Sequence, residues 1–300
     1  MGWAIERDAA IDAPVAAWTR RAAPSEPGLS LEHDGDGRLR LRAGGVARMW
    51  ARRAPRYAGV WMLRRRSTAS LGVTPPISAR LARAKTDLGA WLTWTAAALE
   101  QSEVSPLTAG TWRLEVASLA GCEAALEVPR LRFEAWGPSG SGAILPLRDP
   151  SPPDAGRVKS WRKHARAGTL PPLLLWWVSA LDVHLLLDGH DRLRAASLEG
   201  VSPTALTLAR VDEIKSDPEW REALRQRYER VFDEEPRLAL PTRERLGRQL
   251  AEAHAPWRVA STVARHRPMT AAWREEVRAE LGEEEARPLL SAPEAPAPHR

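Results

Sequence analysis

The feature that most limits the fold is the run LPPLLLWWVSALDVHLLLDGHDRLRAASLEG, residues 170–200. It holds two short apolar stretches rich in Leu, Val and Trp. They are too brief for a membrane span and are broken by prolines, so they read as strands. The second stretch passes through Asp188 and Gly189 into a helix-like run starting near Asp191, where Leu193, Ala196 and Leu198 are available for packing and Gly200 closes the turn. A strand that enters a helix through a glycine aims the first free amides of that helix at whatever sits above the corner. Together with the helix dipole, those donors make an anion site.

The flanks extend the pattern. AILPL is a short strand and DPSPPDAG a turn with three prolines. RVKSWRKHARAG is a basic helix with Val158, Trp161, His164 and Ala165 on one side and Gly168 near its end. VSPTALTLARV is a last strand. Residues 143–212 therefore order as strand, helix, two strands, helix, strand.

The corner side chains are suited to phosphate chemistry. Gly189 lets backbone approach a ligand, Arg192 can fork onto phosphate oxygens and His190 can donate to them. Asp188 can hold Mg²⁺ or accept a proton from an attacking hydroxyl. Arg157 and Lys159, at the start of the preceding helix, are further candidates for the same phosphates.

Residues 143–212 resemble the ParB/sulfiredoxin superfamily, whose members show a proline-containing lead-in, a helix, a glycine followed by a PP strand start, and a strand leading to DGHHR or GxxR before an alanine-rich helix. Here Pro152, the Arg157–Ala167 helix, Gly168 with Pro171 and Pro172, and then Asp188, Gly189, His190, Arg192 and Ala195 supply those parts in order. The resemblance implies binding of a nucleoside triphosphate, CTP or ATP with Mg²⁺, with hydrolysis or phosphate transfer. Asp188 and His190 would be catalytic, Gly189, His190, Arg192 and Arg157 would contact the nucleotide, and Asp188 and Asp191 would hold the metal. Sulfiredoxins carry a cysteine where His190 stands, and the single cysteine of this chain is Cys122, so their repair chemistry is not expected. Kinase-like members have histidine where Asp191 stands. Asp191 adds negative charge there, and it serves equally well as a helix-capping aspartate.

Residues 1–136 read as a mixed α+β domain. Pro14–Arg21 is expected as a short helix, EHDGDGRLRLRAGG as an exposed strand and YAGVWMLRRR as its partner. One helix is expected over Ile77–Glu100, with Leu81, Ala84, Leu88, Trp91, Leu92, Thr95 and Leu99 at helical spacing. TWRLEVASLAG and AALEVPRLRFEAW read as a hairpin around Gly121. GPSGSG, residues 137–142, lacks the lysine of a nucleotide loop and reads as the linker to the central α/β domain. Residues 213–288 read as helical, with three helices led by SDPEW, PTRER and MTAAW, and residues 289–300 as a disordered tail. The fold class is α+β.

Hydrophobic residues at 44% and charged residues at 27% are globular proportions. Single-cysteine usage, the lack of a signal-peptide pattern and the lack of a long apolar run point to a cytoplasmic protein without a membrane partner. The net charge of +6 leaves nucleic acid open as a partner, although Arg221, Arg225, Arg227 and Arg230 read as a solvated face paired with Glu222 and Glu229. No helix-turn-helix pair is evident after the central domain. The fourteen tryptophans read mainly as core residues. A non-catalytic module that docks a protein partner through residues 1–136 is the alternative to a nucleotide-binding protein. His184 reads as a packed residue, and His254, His266 and His299 show no ligand spacing. No GxSxG, HExxH or CxxC pair supports hydrolase or zinc chemistry.

Overall fold

The computed structural model describes residues 4–8, 13–20, 27–55, 58–85, 87–118, 126, 129–136, 143–214, 222, 226 and 257–291. The expected linker 137–142, Cys122, the first two helices expected beyond residue 213, the four arginines of that segment and most of the tail lie outside those residues. Met1–Arg210 and Ser261–Arg300 form one compact unit, which runs across the expected boundary at 137–142, and Val211–Ala260 forms a second.

The chain is α+β. Its first unit is built on two sheets. One contains β1 (Ala4–Asp8), β2 (Ala13–Arg20), β7 (Gly110–Ser118), β12 (Thr204–Ile214), β10 (Leu173–Val178), β11 (Val183–Asp188) and β9 (Ile144–Pro146), side by side in that order. The other runs β14 (Ala264–His266), β3 (Leu29–His33), β4 (Arg38–Ala43), β5 (Val46–Arg53), β6 (Gly59–Arg64), β8 (Leu131–Ala135). Leu29, Leu31, Leu39 and Leu41 of the second sheet share one core with Trp18, Trp112, Leu174, Trp176 and Leu206 of the first.

The order expected over residues 143–212 is the order found: β9, α3 (Gly156–Arg166), β10, β11, α4 (His190–Leu198), β12. Strands β10 and β11 are antiparallel, while β9 and β12 flank them in parallel. Alternation along β10 sends Leu174, Trp176 and Val178 into the main core and Leu173 and Leu175 to the opposite face, where Leu193 of α4 covers them.

Several expectations for the first 136 residues are corrected. Residues 13–20 form a strand and not a helix, because pairing of Ala16 with Leu114 and Trp18 with Trp112 outweighs the helical propensity of an alanine-rich stretch. Strand β4 is present but buried on both faces. It pairs with β3 and β5, not with β6, and Gly44 (φ 56°) and Gly45 (φ 77°) make the tight turn into β5 directly after it. Strands β7 and β8 do not form a hairpin: β7 pairs with β2, and β8 pairs with β6. The helix expected over 77–100 is two, α1 (Ala79–Ala84) and α2 (Leu88–Gln101). Asp87 caps the second by accepting from the Ala90 amide at 2.7 Å, and both pieces pack on the same core, which preserves the apolar spacing.

The region expected to be wholly helical also holds β13 (Trp257–Ser261) and β14. Strand β14 owes its form to parallel pairing with β3, a contact invisible in local sequence. The third expected helix is α5 (Thr270–Leu281), followed by α6 (Arg287–Leu290). These helices cover the outer face of the second sheet, burying Trp273, Val277 and Leu289 against Trp50 and Leu63. Polar side chains also join the helix to that face. Arg40 bridges Glu32 and Glu276 at 2.7 Å each, and the Trp273 indole donates to the Leu39 carbonyl at 2.9 Å. Among the described residues no helix is long and apolar enough to cross a membrane.

Trp273→Ala removes a fully buried indole and its hydrogen bond. Chemical denaturation should show a loss of about 3–5 kcal/mol.

Candidate functional site

Gly189 sits between β11 and α4 with φ 104°, a backbone conformation that favours glycine. A Cβ there would stand 2.7 Å from Leu173 Cδ2 and 3.0 Å from Arg192 Nη2. The close approach that glycine permits is therefore to the chain's own side chains.

Arg192 is 2% exposed. Its Nη2 donates to Asp188 Oδ2 at 3.0 Å and to the Pro172 carbonyl at 3.1 Å, and its guanidinium lies 5.8 Å from the centre of the Trp161 ring. This side chain is enclosed within the protein, lying close to Gly189 at the start of α4. Asp188 also accepts from the Thr74 hydroxyl at 3.2 Å. Burial pushes its carboxyl upward, but the Arg192 charge and hydrogen bond outweigh that and hold it below the usual carboxylate range.

Asp191, 3% exposed, faces a different set of partners. Its Oδ2 meets Arg148 Nη2 at 3.0 Å and Arg157 Nε at 3.4 Å, while Oδ1 accepts from the Ser151 amide at 2.8 Å. Burial opposes ionisation, yet the Ser151 and Arg148 hydrogen bonds keep its pKa low. Asp191 thus ties the start of α4 to the loop that leads from β9 into α3. Asp188 and Asp191, paired in sequence reading as metal ligands, are each committed to a separate cation. Among the described residues, no group of three or more His, Cys, Asp or Glu is placed to hold a metal ion.

His190 is 1% exposed, and its Nε2 accepts from the Arg148 amide at 3.3 Å. That bond leaves the ring proton on Nδ1, which is buried with no hydrogen-bond partner among the described residues. Burial and then the Arg148 charge push its pKa down to about 3, so the imidazole is neutral at pH 7. The free donor of the neutral ring, the Nδ1 N–H, is thus enclosed within the protein and not presented at its surface.

Arg157 has a side chain 54% exposed, and Lys159, further along α3, is exposed as well. The sequence reading missed Arg148, Ser151, Thr74 and Trp161 as partners of the corner. Arg148 had a usable signal, since it directly precedes the proline turn that opens the motif. Thr74 had none, being distant in the chain.

A small pocket lies on the inner side of the corner, lined by Thr74, Trp91, Trp94, Pro172, Asp188 and Arg192 among others. Outside the corner, α3 buries Val158, Trp161, His164 and Ala165 as its spacing predicts and leaves Lys159, Lys163 and Arg166 exposed. His164 is held internally by Thr169 at 2.9 Å. Burial and the nearby charge of Arg83 from α1 lower its pKa. His184 packs against Trp177, with ring centres 4.8 Å apart.

Compared with known proteins, the chain matches no family model, no curated protein and no solved structure.

Two outcomes test this geometry. Gly189→Ala places a side chain in a left-handed conformation and into Leu173, so denaturant melts should show a loss of about 1–3 kcal/mol or more. For His190 the folded pKa lies below the unfolded value near 6.5. The unfolded state therefore binds the extra proton, and stability present above pH 6.5 is lost as pH falls towards 3. In His190→Gln that part of the acid slope should vanish from stability measured against pH.

Proposed function

We propose that the chain is a non-catalytic binding module on a ParB/sulfiredoxin-like corner, with DGHDR serving as a structural lock and the outer face of α3 serving as the binding surface. The observation that carries this reading is the closure of Arg192 onto Asp188 and the Pro172 carbonyl inside the protein. Asp188, Asp191 and Arg192, which the family resemblance would assign to metal and nucleotide, meet charged partners within the chain.

The accessible chemistry lies one element earlier. Across eleven residues α3 carries no acid, and its exposed side bears Arg157, Lys159, Lys163 and Arg166, with exposed Arg80 and Arg83 on α1. Glu199 offsets Arg162 and Arg166, and Asp191 meets Arg157, which leaves Lys159 and Lys163 as the exposed cations of α3 with no acid in their own helix. Apolar or aromatic anchors, which protein interfaces use at their centres, are missing from this exposed side. Its chemistry fits the phosphate backbone of a nucleic-acid duplex, bound without sequence preference.

One observation favours a second reading, a nucleoside triphosphate with Mg²⁺. Gly189 and the leading amides of α4 retain the form of an anion corner, and Arg157 reaches Asp191 at its rim. In that reading CTP or ATP with Mg²⁺ raises the melting temperature, and Arg192→Ala abolishes the shift.

The first reading predicts no shift with either nucleotide. It also predicts anisotropy binding to a 20-base-pair duplex that weakens steeply between 50 and 200 mM salt. Lys159→Glu with Lys163→Glu should weaken that binding tenfold or more and reduce the salt slope by about two. Duplex binding unchanged by this double substitution would sink the assignment, as would tighter binding to an acidic polypeptide.

A further inference from the structure

We propose that His33 and His266 form a two-histidine site for a divalent late transition-metal ion, Cu²⁺, Ni²⁺ or Zn²⁺, which clips β14 to β3. The two residues are partners in the parallel register of these strands, so their side chains rise from the same face of the sheet. Their ring centres are 5.4 Å apart and the rings are inclined at 80°. With metal–nitrogen bonds of about 2.0–2.1 Å, an ion lies about 3.2 Å from each ring centre, and a tetrahedral angle at the ion then separates the centres by about 5 Å. The observed centre-to-centre spacing is close to that requirement.

The surroundings leave room for the ion and its waters. His266 is exposed and His33 half-buried. Gly35, in the turn after β3, contributes no side chain, and even a Cβ built on it would stand 4.0 Å from His266 Nε2. Of the two nearby carboxylates, Asp34 is consumed by Arg38, Thr270 and the Asp36 and Arg38 amides. The side chain of Asp36, in the turn after β3, is 71% exposed and shares Arg38. Imidazole nitrogens completed by water suit copper, nickel and zinc and disfavour Mg²⁺, so this site is chemically distinct from any Mg²⁺–phosphate site at the α4 corner.

The position gives such an ion a structural consequence. Strand β14 is three residues long, and besides its ladder it is held by the Arg267 amide donating to the His33 carbonyl at 2.8 Å. It leads into α5, whose Trp273 fills the outer face of the sheet. A metal clip at His266 would fix the start of that covering segment.

The test uses the full chain without a polyhistidine tag, titrated with Cu²⁺, Ni²⁺, Zn²⁺ and Mg²⁺ by calorimetry and thermal melting. One equivalent should bind with Cu²⁺ tightest and Mg²⁺ silent, and the melting temperature should rise by several degrees. His266→Gln, at an exposed position where folding should be retained, and His33→Gln should each remove both effects. A His254→Gln, His299→Gln variant should keep them. Failure of Cu²⁺ and Ni²⁺ to bind at millimolar concentration would overturn the proposal, and so would binding that survives the His33→Gln, His266→Gln double substitution.

Discussion

A guanidinium buried to 2% exposure needs its charge met within the protein, and much of the corner follows from meeting it. Asp188 supplies the counter-charge, the Pro172 carbonyl a second acceptor and Trp161 a ring face. Gly189 must then be glycine, because a Cβ would press on the guanidinium and on Leu173. Asp191 repeats the arrangement on the other side of the helix start with Arg148, Arg157 and the Ser151 amide. Removing one member of such a buried pair costs about 3–5 kcal/mol, since the other is left unpaired. The motif is thereby fixed by stability alone, whatever else it does.

The same logic recurs on the second sheet. Alternation along β4 turns Leu39 and Leu41 to the core, and sends Arg38 and Arg40 under α5, where Asp34, Glu32, Thr270 and Glu276 meet them. An alternating apolar and basic strand reads as a solvent-exposed edge only while its acidic cover is unknown. Asp34 and Glu32 lie close by in the chain, but Glu276 and Thr270 arrive with α5 from more than two hundred residues away and turn that face into interior.

What the sequence made legible was local. The strand-to-helix corner, its order of flanking elements and the buried side of α3 rest on periodicity, glycine and proline, and they appear where expected. What it hid was pairing across distance. Nothing near residues 13–20 announces β7 as their partner, and nothing near Asp188 announces Thr74. His33 and His266 meet only because β14 lies in register with β3. The internal partners of Asp191 and Arg192 were hidden for a related reason. A charged residue beside a glycine corner looks available for ligand until its internal partners are known.

Imidazole nitrogen NMR of His190 at pH 7, with and without CTP or ATP and Mg²⁺, tests the central claim most directly, because this ring lies inside the lock. The account predicts a neutral ring protonated at Nδ1, with a pKa near 3 and signals unmoved by either nucleotide. A ring that titrates near 6.5, or that shifts on nucleotide addition, would contradict it.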